Sequence, residues 1–134
     1  MLVTADLHTH SAYSFDADYD PAQMLAAAAE NGLRQICITD HVDFYTPSDV
    51  HLPDFAARRA RLAQLRGQFP QLTVLEGAEV SMTADPACAR SAMAALDGVK
   101  LDFVIGSVHT IGAENVWADA FYASRTREAA YRLY

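Results

Sequence analysis

The chain has 134 residues, 51% hydrophobic and 20% charged, with a formal charge of −7. That length allows one domain with a real core, the apolar content excludes a disordered chain, and the acidity argues against nucleic-acid backbone binding. No apolar run nears the roughly 20 residues that span a bilayer, and the opening "MLVTADLHTH" has no basic segment ahead of an apolar one, so neither a membrane span nor a secretory signal is read.

Short apolar runs alternate with helix-like segments along the chain. The first predicted strand is Leu2 to Leu7, followed by "DLHTHS". In an extended segment residues i and i+2 share a side, so His8 and His10 can face one point, as two ligands of one metal ion must. The plainer reading is a polar strand end. Asp20 as N-cap, Pro21 at the first helical position and Gly32 as a stop then predict a helix. Gln35 to Thr39 is a second, buried strand. A loop holding Pro47 and Pro53 follows, and then a helix with Phe55, Leu62, Leu65 and Phe69 near one face. Arg58, Arg59, Arg61 and Arg66 read as its solvated side. Leu72 to Val80 is a third strand. Asp85 to Gly98 repeats the Asp-Pro start and Gly stop, and Asp102 to His109 is a fourth strand. A last helix begins in "SRTREAAYRLY" and reaches Tyr134 without a cap, so the sequence reads as incomplete.

Strand–helix alternation with short connections is the signature of βαβ units and a parallel sheet. Strands as uniformly apolar as "QICIT" suit a sheet covered on both faces or closed into a barrel. A full (β/α) barrel takes about 250 residues, of which this chain supplies roughly half. Cys37 and Cys88 lie far apart in no C-x-x-C spacing, which fits a reducing, cytoplasmic setting, with one disulfide left open.

The polar residues carry the functional signal by position. His8 and His10 follow the first strand, Asp40 and His41 the second, Glu79 ends the third, and His109 follows the fourth. The C-terminal rim of parallel strands is where active sites form. Imidazole and carboxylate are the ligands of hydrolytic Zn, Mn and Fe sites, so these residues are expected to bind metal. Asp16 alone reads as a turn former and His51 as a solvated loop residue. Glu76, three residues before Glu79, falls on the opposite face of its strand and is not expected at the same site. Tyr122, Tyr131 and Tyr134 are read as packing residues.

The motifs "DLHTHS", "ITDH", "GAEV" and "GSVH", in this order, resemble those of the polymerase and histidinol phosphatase (PHP) superfamily of metal-dependent phosphoesterases, and the surrounding sequence is most similar to its histidinol-phosphate phosphatase branch. The resemblance implies a distorted (β/α)7 TIM-like barrel, here its first four βα units in a single domain over residues 1–134, with up to three divalent metal ions (Zn, Mn or Fe) at the rim. It implies that His8 and His10 bind the first metal, Glu79 bridges the first and second, His109 binds the second, and His41 with Asp16 binds the third. Asp40 is expected to orient a ligand histidine. Further ligands of the family fall beyond Tyr134.

The implied activity is hydrolysis of L-histidinol phosphate to L-histidinol and phosphate. Closely spaced dications spread the developing charge and lower the pKa of a bridging water, which attacks directly. Glu79, His109 and Asp40 are the candidate catalytic residues, and no Ser-His-acid arrangement is legible. The expected partner is a small phosphate monoester, with no nucleic acid and no membrane. The alternatives are another PHP phosphoesterase acting on nucleotides or DNA ends, and a catalytically inactive structural module.

Overall fold

The computed structural model describes residues 3–46 and 49–134, so Leu2 of the first predicted strand and Pro47 of the predicted loop lie outside the described residues. Strand β1 is Ala5–Thr9, helix α1 Pro21–Glu30, β2 Gln35–Ile38, β3 His41–Thr46, β4 Asp49–His51, α2 Phe55–Arg66, β5 Thr73–Ser81, α3 Pro86–Leu96 and β6 Phe103–Ser107. A small hairpin, β7 Thr110–Ile111 with β8 Glu114–Asn115, leads to α4 Asp119–Ala123 and α5 Arg127–Leu133. No helix among the described residues is long and apolar enough to cross a membrane.

The helices start where their caps predict. Asp20 accepts from the Ala22 N–H at 2.8 Å, while the Gln23 side chain accepts from the Asp20 N–H at 3.1 Å, a reciprocal cap with Pro21 at the first turn. Asp85 caps α3 in the same way from Ala87 at 2.7 Å. Gly32 and Gly98, just past α1 and α3, have φ of 75° and 72°, the left-handed conformation that a chain leaving a helix needs.

The strand order places β5 centrally. β2 and β3 pair with the same edge of β5, both parallel, with Ile38 opposite Glu76 and His41 opposite Glu79. The offset between partners is the same on either side of the Thr39–Asp40 break, so β2 and β3 are one strand with an interruption. β1 pairs with β2 and β6 with β5, again parallel. The result is the predicted parallel α/β arrangement. The sequence did not announce the extension into β3 and its antiparallel partner β4, because the Pro47 loop was taken to start directly after the second strand.

One face of this sheet carries all three long helices. Ile36, Ile38 and Val74 pack with Leu25 of α1 and Leu62 and Leu65 of α2, while Val42, Phe44, Ala78 and Val80 pack with Cys88 and Ala92 of α3. Helices on a single face are consistent with a stretch of barrel wall and differ from an open doubly wound sheet, which has helices on both faces. The alternate residues of the same strands, among them His41, Asp43 and Glu79, face the other side. Gly77 is required by the close approach of the strands: a Cβ there would lie 2.7 Å from Cys37 Sγ and 2.8 Å from the Phe103 carbonyl oxygen.

Two expectations are corrected here. Arg58 is not on a solvated face but fully buried. It shares a helix face with Leu62 and Leu65, and its charge is met by Asp40, fully buried as well. Tyr122, Tyr131 and Tyr134 are not core residues but stay mostly exposed, because the core beside α4 and α5 is built from Val116, Phe121 and Ala130 instead.

Candidate metal centre

The six residues proposed as ligands from the sequence meet at one rim of the sheet. β1 delivers His8, and the turn after it delivers His10 and Asp16. The start of β3 delivers His41, β5 delivers Glu79 and the segment just after β6 delivers His109. Glu79 is the hub. Its Oε2 lies 3.1 Å from His8 Nε2 and 2.9 Å from His10 Nε2, while its Oε1 lies 3.3 Å from His109 Nε2. Asp16 Oδ2 lies 2.9 Å from His10 Nδ1 and 3.4 Å from His41 Nε2. Three overlapping groups result, His8–His10–Glu79, His10–Asp16–His41 and His41–Asp43–His109, each with donor atoms within 4.8 Å of one another. Among the described residues no other group of this kind is found.

Asp43 is the residue that the sequence reading missed. It is fully buried, and both its oxygens lie 3.1 Å from His109 Nδ1, with Oδ2 also 3.3 Å from His41 Nδ1 and accepting from the Tyr45 hydroxyl at 2.6 Å. The signal was available: the i, i+2 rule that pairs His8 with His10 pairs His41 with Asp43 once a strand is recognised there. Asp40, by contrast, touches no imidazole. Its Oδ1 accepts from the Ser11 N–H at 2.6 Å, and its Oδ2 accepts from Arg58 at 2.9 Å. The carboxylate in direct contact with ligand histidines is thus Asp43, while alternation turns the Asp40 side chain to the helix side. Glu76 lies on the helix side as expected, paired with Arg59 and Arg66 at 3.0 Å each. His51 is not a free loop residue. It sits on β4, its ring 4.4 Å from that of Phe15, which in turn lies 4.9 Å from His41.

The electrostatics follow from this crowding. Burial pushes the Asp43 carboxyl up, but the hydrogen bonds of His109 and Tyr45 and the nearby His41 imidazole outweigh it and hold the group far below the usual carboxylate range. Burial likewise acts on Glu79 and Asp16. Ser107, His8 and His41 around Glu79, and His10, Ser14 and His41 around Asp16, leave both carboxyls lowered. The His109 imidazole is raised chiefly by its bond to Asp43. In His41 burial opposes the charge, yet Asp43, Glu79 and Asp16 raise it.

Whether this donor set suits a cation is decided by its unmet atoms. His10 Nε2, His41 Nδ1 and Glu79 Oε2 are buried and have no hydrogen-bond partner, although His10 Nε2 and Glu79 Oε2 are only 2.9 Å apart. Close but unaligned donor atoms converge on a common point instead of on each other, as ligands of a shared ion do. Buried polar atoms without partners are costly, and a divalent cation removes that cost. The site opens into a cavity of about 600 Å³ whose remaining lining is aromatic: Phe15, Tyr45 and Trp117.

Comparison with known proteins agrees with this arrangement. The PHP domain family matches residues 6–134. The chain is 31% identical over 134 residues to the histidinol-phosphatase of Lactococcus lactis subsp. lactis (strain IL1403), covering 96% of this chain and 48% of that protein. It is 38% identical over 96 residues to an error-prone DNA polymerase of Nocardia farcinica (strain IFM 10152), covering 70% of this chain but 7% of the polymerase. Among solved structures it superimposes, with a TM-score of 0.86 and 31% identity, on the Lactococcus lactis histidinol phosphate phosphatase complexed with zinc, L-histidinol and phosphate, covering 98% of this chain and 50% of that one. The chain therefore spans about half the length of the histidinol-phosphatase it matches. With a match from Asp6 to Tyr134 and its histidines and carboxylates gathered at one strand rim, the chain belongs to the PHP-domain family.

Proposed function

We propose that this chain carries the N-terminal part of the catalytic site of a metal-dependent phosphomonoesterase whose substrate is L-histidinol phosphate. The observation that carries the reading is the convergence on Glu79: one buried carboxylate reaches His8 and His10 through one oxygen and His109 through the other. A two-oxygen group between two sets of imidazoles suits a bridge between two cations. His8 and His10 would hold the first, His109 the second, and His41 with Asp16 a third, with zinc, manganese or iron all compatible with these donors. Bound divalent cations supply positive charge for the phosphoryl oxygens and acidify a water as the nucleophile.

The protein's own groups do the positioning. Asp43, bonded to the Nδ1 side of His109, is placed to keep the proton there, so that Nε2, which faces Glu79, would be the atom offered to a cation. Phe15, Tyr45 and Trp117 wall the cavity and offer flat apolar contact to an aromatic leaving group such as the imidazole of histidinol. No side chain here is set up as a covalent nucleophile. Ser107 is engaged with Glu79, and burial pushes the Cys37 thiol up to about 11, out of thiolate range at neutral pH. The likeness to the Lactococcus histidinol phosphatase supports the substrate, and a small-metabolite reaction of this kind belongs in the cytoplasm.

The test is elemental analysis of the purified protein together with phosphate release from histidinol phosphate, p-nitrophenyl phosphate and nucleotides. Bound divalent metal and a preference for histidinol phosphate are expected. Metal-bound protein preferring nucleotides or DNA ends would shift the substrate, and metal-free, inactive protein would leave a structural module. A phosphoserine or phosphocysteine trapped during turnover would contradict direct attack by water.

A further inference from the structure

Arg58 and Asp40 form a fully buried ion pair, and neither lines the cavity. Such a pair is poor evidence of stabilisation, since the desolvation of two charges offsets most of their attraction. What it does hold is three segments that carry ligands. Asp40 accepts from the Ser11 N–H at 2.6 Å and the Ser11 hydroxyl at 3.0 Å, one residue after His10. Asp40 is itself the residue before His41, at the break between β2 and β3. Arg58 Nη2 donates to the Gly77 carbonyl at 2.6 Å, two residues before Glu79. The β2–β3 break and β5 are therefore fastened to a single side chain of α2 from the helix side, and the β1 turn is fastened to the same side chain through Asp40.

We infer that the Arg58–Asp40 pair is a positioning strut that sets the spacing of His10, His41 and Glu79 behind the metal centre. The inference rests on the metal reading and goes beyond it, because it assigns the geometry of the donor set to two residues that touch neither cation nor substrate. The Asp40 side chain is turned to the helix side to meet Arg58, while the next residue, His41, presents its ring to Asp16, Asp43 and Glu79 on the other.

The experiment is cobalt(II) titration of the metal-free protein, followed by visible absorption, for the parent and for Asp40→Asn, Arg58→Lys and the neutral double variant Asp40→Asn/Arg58→Met, with circular dichroism as the fold control. Arg58→Lys keeps the charge but loses the planar fork that gives Asp40 and the Gly77 carbonyl a separate nitrogen each. The expected result is folded variants with cobalt affinity down by about tenfold or more and an altered band shape, the size seen when groups behind metal ligands are removed. If the parent binds no cobalt, the metal reading itself fails. If the parent binds and the folded variants give the same isotherm and spectrum, the metal reading stands and the strut is overturned. Loss of fold in all three variants would also overturn it, by making the pair a folding requirement.

Discussion

Asp43 has the most to lose at the residue scale, because it bonds His109 and lies beside His41 at once. Asp43→Asn should lower zinc affinity by about 10–100-fold, read by competition with a chromophoric chelator, because an amide can no longer hold both Nδ1 atoms as an anion does. Glu79→Gln should go further and abolish binding of at least one equivalent of metal in elemental analysis, since the charge shared by His8, His10 and His109 is gone. The metal-free protein has its own pH dependence. Asp16, Asp43 and Glu79 are lowered, so their contribution to stability is present above ordinary carboxylate values and fades as pH falls through the depressed ones. His41 and His109 are raised, so theirs is complete below the ordinary histidine value and fades as pH climbs through the elevated ones. Chelated protein should therefore show its highest urea midpoint between about pH 4.5 and 6.5. Cation affinity should instead climb with pH through the raised imidazole values, because the proton and the ion compete for the same nitrogens.

Among the elements, the strands and helices that bury continuous apolar runs were legible, and so were helix starts marked by Asp20-Pro21 and Asp85-Pro86. β3 and β4 were not. The alternation of His41 and Asp43 with Val42 and Phe44 is a strand pattern, but a residue following "ITD" reads equally well as a loop until β5 is known to offer it a pairing edge. The buried Arg58 shows the same limit. Its position four before Leu62 marks the apolar face, yet only the partner Asp40, 18 residues away in sequence, makes a charge acceptable there. Five candidate ligands were found because their spacing follows the strand ends, which is a property of the chain, and Asp16 was added only by the family resemblance; Asp43 depended on pairing, which is not. At this scale the close approach around Gly77 makes a direct prediction. Gly77→Ala places a methyl against Cys37, Thr39 and the Phe103 carbonyl and should cost about 1–3 kcal/mol or more in urea unfolding, with no polar contact removed.

For the molecule as a whole, helices on one face and donors on the other make folding and metal binding a single problem. The unmet atoms of His10, His41 and Glu79 cost the metal-free state free energy that an ion recovers. Removing zinc with a chelator, from a solution about 100-fold above its dissociation constant, should lower the unfolding free energy by about 2.7 kcal/mol, measured by urea denaturation with and without the chelator. The same geometry supplies a reporter for such experiments. The chain has one tryptophan, and Trp117 stands at the cavity, 65% exposed and in line with whatever enters it. Its indole emission is thus a label-free gauge of occupancy: filling by an organic phosphate should shift the spectrum to the blue, and a paramagnetic ion seated among the histidines should quench it, each without a reaction having to take place.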